Sequence, residues 1–336
     1  MSEPAHAVGG PYYDDLSIGD RFESAPSLTL TEGLAATHQA TVGDRLRLSL
    51  DHDLSRCVTG EGMPIAHPAL VWDVSIGQST LVTQRVIANL FYRGLVFRRF
   101  PRIGDTLRTT TEITGLRTTA AKSGRPARGL AVLHVVTTDQ QDRPILDFHR
   151  CAMLPVRRET STGLDAELGP QAVELDWATL IAAAETWDLR AYRNALPGPH
   201  FADLRADTSH RFESGDVVSN APELARLTLN IAAVHHDRTA ASSGERLVYG
   251  GHTIGIAAAQ ITRALPSLVT ILGWHSCDHV APVFEGDTLH SEIQIERRDP
   301  LLKGSGLIHM RSQVRATRSN GETAAVLDWR LVGLFA

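Results

Sequence analysis

The fold of this chain is decided by a stretch that occurs twice. Residues 97–113, FRRFPRIGDTLRTTTEI, are echoed by residues 278–295, DHVAPVFEGDTLHSEIQI. Both contain Gly-Asp-Thr-Leu followed by alternating residues, a pattern typical of a β-strand with one buried face. Gly104 of the first copy corresponds to Gly286 of the second, 182 positions later.

A second pair of echoes has almost the same separation. RPILDFHRCAMLPV at residues 143–156 matches AAVLDWRLVGLF at residues 324–335, and Leu146 corresponds to Leu327, 181 positions later. Two motifs repeated at nearly the same offset indicate a single domain duplicated within the chain. A length of 336 residues is comfortable for two such domains.

Each half has the same predicted order of elements: an alternating segment, a helical pattern, a stronger apolar helix and three strands. The stronger helices are predicted at residues 65–82 and 250–265, the second apolar enough to be buried on all sides. Asn320 and Gly321 carry a hairpin signal between the last two strands. One long helix per antiparallel sheet predicts an α+β fold in which each sheet wraps around its helix.

The predicted domains are therefore residues 12–157 and residues 201–336. Between them, residues 158–200 read as a linker that contains one short amphipathic helix over residues 177–195.

Composition places the chain among ordinary globular proteins, with 43% hydrophobic residues, 21% charged residues and a net charge of -5. An acidic total argues against nonspecific nucleic-acid binding.

No stretch approaches the roughly 18 apolar residues of a membrane span, and the N-terminus reads as a loose tail without a signal peptide. Cys57, Cys151 and Cys277 are odd in number and far apart, which predicts free thiols and a cytoplasmic protein.

The motifs and their doubling resemble the MaoC-like dehydratases, a double-hotdog family of acyl-CoA hydratases. The resemblance is carried by YYDDLSIGDRF at residues 12–22, NIAAVHHD at residues 230–237 and RLVYGGHTI at residues 246–254. It covers most of residues 12–157 and 220–335, and within the family it is strongest to the mesaconyl-CoA (β-methylmalyl-CoA) hydratases. It implies a hydro-lyase that acts on a coenzyme A thioester without a metal or redox cofactor.

The family's hydratase motif maps onto the second half of the chain. His235 stands at the motif histidine, Asp237 completes His-x-Asp, and Gly251 is the glycine that opens the central helix. The chain departs from the motif at Asn230, which stands where the family has a catalytic Asp. An asparagine can orient water through its amide but cannot exchange a proton.

The first half departs in the opposite way. Asp44 stands at the Asp position, whereas Ser49 replaces the histidine and Pro68 replaces the glycine. Proline has no N–H, so the first half cannot form the same oxyanion hole at that residue. The second half is therefore expected to hold the reactive centre, and the first half to supply the acyl and pantetheine tunnel.

The leading hypothesis is reversible hydration of an enoyl thioester. His235 moves the proton, Asn230 holds the water, and the Gly251 N–H stabilises the enolate oxygen at a helix N-terminus. Asp237, or Asp44 from the other half, is a candidate for the missing carboxylate.

Several residues are candidates for substrate binding. His252 is either a first-turn helix residue or a partner of the thioester. Arg125 and Arg128, with Lys122, lie in a glycine-containing loop that is either a solvated turn or a site for coenzyme A phosphates. Arg93, with Arg98 and Arg99, could meet a branched dicarboxylic acyl group such as mesaconyl, or could be an exposed strand residue.

A metal site is weighed against these interpretations and set aside. His275, Cys277 and His279 alternate and would share one face of a strand. No other His/Cys pair has clear ligand spacing, so we expect no metal.

Two alternatives to a hydratase stay open. A thioesterase is suggested by the missing motif Asp, and it would need a carboxylate or Ser to activate water. A non-catalytic acyl-CoA-binding partner subunit is suggested because both half-motifs are incomplete. Thiol release identifies the first, and binding without turnover identifies the second. A homodimer is a further expectation.

Overall fold

A computed structural model describes residues 8–119, 127–157, 168–169, 172–241 and 244–336. The helices are α1 (Glu32–Val42), α2 (Arg47–Leu50), α3 (His52–Thr59), α4 (Pro68–Gln78), α5 (Trp177–Ala182), α6 (Leu189–Ala195), α7 (Ala221–Leu227) and α8 (Gly250–Ala264). The strands are β1 (Arg21–Phe22), β2 (Leu28–Thr29), β3 (Ala88–Phe97), β4 (Thr106–Thr119), β5 (Arg128–Thr138), β6 (Pro144–Pro155), β7 (Ser209–Arg211), β8 (Asp216–Val217), β9 (Leu268–His279), β10 (Thr288–Pro300), β11 (Gly306–Thr317) and β12 (Thr323–Phe335).

The strands form one antiparallel sheet to which both halves contribute. Its order is β1-β4-β5-β6-β3-β9-β12-β11-β10-β7, with β2 beside β4 and β8 beside β10. The halves meet where β3 pairs with β9, with Tyr92 opposite Cys277 and Leu95 opposite Trp274. The Asn320–Gly321 hairpin lies between β11 and β12, as predicted.

Four long strands follow the central helix in each half, where the sequence predicted three. The extra strands are β3 and β9, whose period-two signal is weak. In β9 the first ten residues are all buried, so no alternation is visible. In β3 the pairing with β6 shifts register twice, between Asn89 and Phe91 and between Arg93 and Val96.

The two central helices lie inside the curved sheet, as predicted. Every residue of α4 is buried, and so is α8 from Gly251 to Thr262. The close approach of α8 to α4 depends on the small residue Gly251, because a Cβ at that position would collide with the Asp73 carboxyl. No helix in the described part of the chain is long and apolar enough to cross a lipid bilayer.

Three tryptophans fill the space where the two halves meet. Trp72 of α4 packs edge-on against Trp274 of β9 with ring centroids 4.9 Å apart, and against Trp329 of β12 at 6.1 Å. Tyr92 of β3 packs edge-on against Trp274 at 5.8 Å. Edge-to-face geometry is a favoured arrangement of aromatic rings. The cluster therefore stabilises the junction of the halves through both its buried aromatic surface and the orientation of its rings.

The linker helix predicted over residues 177–195 is two helices, α5 and α6. Asp188 causes the break, because its side chain caps the N-terminus of α6 by accepting from the N–H groups of Arg190 and Ala191. The Asp188 N–H also donates to the Val58 carbonyl, which fixes the linker to the first half.

Replacing Trp72 with Ala is expected to lower the free energy of unfolding by about 3–5 kcal/mol, because it leaves a large cavity between the halves. Urea denaturation followed by circular dichroism measures the change. Trp177→Ala is the control, since this side chain is 46% exposed and a surface change is expected to stay within about 0.5 kcal/mol. Equal effects of the two substitutions would contradict the role of the cluster.

Candidate active site

A cavity of about 730 Å³ lies between the two halves and is lined by both. The first half contributes Tyr92 and Arg150, and the second contributes His235, Tyr249 and His279. Much of the remaining wall is apolar. Mostly apolar walls with a few polar groups are typical of a small-molecule site.

His235 is the titratable group that the sequence singled out, and it lies in this cavity. A 3-10 turn, Ala233–His235, places the ring, and its Nδ1 donates to the Leu247 carbonyl at 2.8 Å. That bond fixes the tautomer, so Nε2 carries the lone pair. Burial lowers the pKa of His235 to about 4, with smaller contributions from the positive charges of His236 and Arg150. His235 is therefore a neutral imidazole with an available base nitrogen.

Asn230 also lines the cavity, but its amide oxygen is already engaged. Oδ1 accepts a hydrogen bond from the Ala232 N–H at 3.0 Å, and the Asn230 carbonyl accepts one from His236 Nε2 at 2.6 Å. These bonds shape the turn that leads to His235. The oxygen expected to hold water is therefore used by the backbone, and the NH2 group is what Asn230 offers to a ligand.

The start of helix α8 reaches the cavity at Gly250, one residue before the predicted Gly251. Gly250 lines the cavity, whereas Gly251 is packed against Asp73 and the Tyr249 ring. Both central helices begin at corresponding positions, Pro68 and Gly250. The offset of 182 found in the sequence matches these two residues. The role of Gly251 stays a prediction, and Gly250 is the glycine that lines the cavity.

His279 is a second imidazole in the cavity, and the sequence analysis considered it only as a metal ligand. Its ring lies against Gly250, where an added Cβ would come within 2.6 Å of His279 Nε2. That nitrogen is buried and has no hydrogen-bond partner in the described chain. Burial, with a smaller contribution from the neighbouring His235, lowers the pKa of His279 to about 4.

The three residues considered as a metal site, His275, Cys277 and His279, do not share one face of β9. The pairing of β9 with β12 shifts register between Arg330 and Leu331, and His275 is left out of the ladder at that shift. His275 instead contacts the Val173 carbonyl at 3.0 Å and stacks on His309. Within the described ranges no three His, Cys, Asp or Glu side chains are grouped as a metal site.

Neither candidate carboxylate lines the cavity that contains His235. Asp237 is exposed and accepts hydrogen bonds from Thr239. Asp44 lines a separate pocket of about 520 Å³ and pairs with His67 at 3.0 Å. Of the described residues that line the cavity, none is an Asp or Glu.

Two of the predicted substrate-binding residues lie away from the cavity. His252 is a fully buried residue of α8, and neither ring nitrogen has a partner among the described residues. Burial, followed by the charge of His38, lowers its pKa to about 4. Arg93 is held by Asp278 in an ion pair of 2.7 Å. Neither residue is among those that line the cavity, and His252 occupies the first turn of α8, which was one of its two interpretations.

The predicted phosphate-binding loop is only partly described. Arg128 lines the cavity and is half-buried, whereas Arg125 and Lys122 lie outside the described residues. Arg85 lines the same cavity and was missed by the sequence analysis. Arg98 pairs with Asp147 on the surface and Arg99 is exposed.

Arg150 is a second charged cavity residue that the sequence analysis missed. It lies on β6 in a run that alternates inward as Phe148, Arg150, Ala152 and Leu154, all buried. A charged residue at a position that alternation assigns to the core is the signal that would have found it.

Comparisons with known proteins identify the architecture. No protein-family model matches the chain. A conserved hypothetical protein of Mycobacterium tuberculosis, RV0216, described as having a double hotdog fold, is 51% identical, with a TM-score of 0.90 over 98% of this chain and 100% of that one. A MaoC domain protein of Chloroflexus aurantiacus is 23% identical over 99% of each chain, with a TM-score of 0.86, and shares the fold.

Two curated relatives have named activities. The β-methylmalyl-CoA dehydratase of Chloroflexus aurantiacus is 27% identical over 95% of each chain. The mesaconyl-CoA hydratase of Cereibacter sphaeroides is 25% identical over 90% of this chain and 88% of that one. With the doubled architecture and the 51% identity to RV0216, the chain is a double-hotdog protein, and it is similar to the MaoC-like dehydratases.

Proposed function

We propose that this protein is an acyl-CoA hydratase or dehydratase, a hydro-lyase that adds water to an enoyl-CoA or removes it from a 3-hydroxyacyl-CoA. The observation that carries the proposal is the His235 ring, whose Nδ1 is held by Leu247 while Nε2 is left as a base in the cavity. The names of the curated relatives point to the same reaction class, and to branched dicarboxylic acyl groups such as mesaconyl.

The cavity suits a coenzyme A thioester. Arg85 and Arg128, both half-buried on its lining, are suited to the phosphates of coenzyme A. Between them and the imidazoles the wall is apolar, with contributions from Val86, Leu90, Val234, Val248 and Val283. The chemistry moves only a proton and a hydroxide, so the proposal includes no cofactor beyond the substrate itself.

In the proposed hydration, His235 Nε2 takes a proton from water as the water oxygen bonds to the β-carbon. Negative charge moves to the thioester oxygen, which is stabilised by the Gly250 N–H at the start of α8. The His235 imidazolium then gives its proton to the α-carbon. A pKa near 4 makes that imidazolium a strong acid, which favours the return of the proton.

A non-catalytic acyl-CoA-binding subunit is the second candidate. Its support is that Asn230 replaces the motif Asp and that no carboxylate is found among the described lining residues. The same observation weakens the thioesterase alternative, which needs a carboxylate or Ser to activate water. A cytoplasmic homodimer remains part of the proposal, in keeping with the free thiols of Cys57, Cys151 and Cys277.

His235→Ala is expected to reduce hydration about 10²–10⁴-fold, the usual contribution of a general acid–base. Loss of the conjugated enoyl absorbance, followed over a panel of enoyl-CoAs together with thiol release, measures it. His52→Ala is the control, because His52 is an exposed imidazole on α3. Wild-type turnover by the His235 variant would remove this residue from the mechanism, and binding without any turnover by the native protein would favour the subunit role.

The pH profile of kcat/KM is expected to have its acid limb near pH 4. Taking a proton from water requires neutral His235, and this form persists until the pH falls through the lowered pKa of about 4. An exposed histidine would lose the same form near pH 6.5. Circular dichroism at each pH separates this limb from unfolding, because buried neutral histidines lose stability as the pH falls below 6.5. An acid limb near pH 6.5 in folded protein would contradict the assignment.

A further inference from the structure

Arg150 places a buried positive charge on the cavity, and its side chain is 3% exposed. Its guanidinium donates to the Ser79 carbonyl at 3.1 Å and to Thr83 Oγ1 at 2.7 Å, and both acceptors are neutral. Its Nε is buried without a hydrogen-bond partner, and no carboxylate in the described chain forms an ion pair with it. By contrast, Arg93, which is also buried, has Asp278.

A guanidinium stays protonated in proteins, so Arg150 cannot escape this position by losing its proton. A buried charge without a counter-charge is costly, and proteins normally pair it. The neutral acceptors fix the orientation of the guanidinium but leave its charge uncompensated. A ligand that brings a carboxylate into the cavity would supply the missing partner in a charge-assisted, planar contact.

Arg150 is well separated from Arg128, one of the two residues suited to the coenzyme A phosphates. Arg128 lies opposite Pro155 on β6, and Arg150 is five residues further along the same strand. At about 3.3 Å per residue this separates the two positions by roughly 16 Å. The pantetheine arm fits between them, which leaves Arg150 for the acyl group.

The thioester oxygen that becomes negative in the reaction has a donor other than Arg150. The start of α8 at Gly250 offers N–H groups that have no partner within the helix. His235 and Arg150 line the same cavity. A group bound to Arg150 therefore shares this cavity with the reacting carbons, which suits a short acyl chain.

We propose that Arg150 binds a free carboxylate at the far end of the acyl chain, so that the substrates are mono-thioesters of short dicarboxylic acids. This assignment rests on the proposed acyl-CoA site, and it makes Arg150 the residue that determines specificity. Arg93, Arg98 and Arg99, the cations first considered for that carboxylate, are engaged elsewhere or exposed on the surface.

The test compares two inert ligands, the carboxypropyl thioether and the butyl thioether of coenzyme A. Neither has a double bond or a thioester, so binding is measured apart from catalysis by isothermal titration calorimetry. The native protein is expected to bind the carboxypropyl ligand at least tenfold more tightly. Arg150→Met is expected to bind both ligands equally, and Arg150→Lys to keep a smaller preference in the same direction.

Arg128→Met is the matched control, since losing a phosphate contact should weaken both ligands by the same factor and leave the preference intact. Equal binding of the two ligands by native protein would overturn the role of Arg150 while leaving the hydratase proposal standing. A full preference retained in Arg150→Met would show that another residue binds the carboxylate. Failure of native protein to bind either ligand would remove the acyl-CoA site and the inference together. If Arg150→Met does not fold, the native preference and Arg150→Lys decide the question.

Discussion

The antiparallel pairing of β3 with β9 is the interaction on which the rest of the structure depends. It joins two copies of one module into a single sheet, and it places the Trp72, Trp274 and Trp329 rings in one cluster across the junction. The cavity exists because of this pairing, since Arg150 and Tyr92 come from one side of it and His235 and His279 from the other. Neither half alone contains the complete set of polar groups.

Duplication has been followed by a division of the motif between the halves. The second half keeps the histidine, His235, and a helix start with a free N–H, but it has Asn230 in place of the carboxylate. The first half keeps the carboxylate, Asp44, but pairs it with His67 in a pocket of its own and begins its helix with a proline. Proline excludes the oxyanion-binding N–H at that position, which explains why the chemistry is assigned to the second half.

Burial determines the electrostatic character of the cavity. It lowers the pKa of both His235 and His279 to about 4, so two neutral imidazoles lie near a guanidinium that keeps its charge. In a site of low dielectric, fixed charges and dipoles act more strongly than they do in water. The site therefore combines neutral proton acceptors with the fixed charge of Arg150.

Much of the fold and part of the candidate site could be predicted from the sequence. Repeats, period-two alternation and helical patterns are local features that can be read without the structure. The duplication and the two central helices followed from offsets and motif order, and the motif also selected His235, which lines the cavity. The sequence could not distinguish Gly250 from Gly251, because two adjacent glycines look alike without the helix geometry. Arg150 and β9 were missed because partners across the sheet, and a strand buried on both faces, leave little local signal.

The central claim is that water adds across a double bond held between the two halves. The most direct measurement is proton NMR of an enoyl-CoA incubated with the native protein in deuterium oxide. The account predicts a 3-hydroxyacyl-CoA that carries one deuterium at the α-carbon, with coenzyme A still attached. Release of the free thiol from an acyl chain that has gained no deuterium would contradict it.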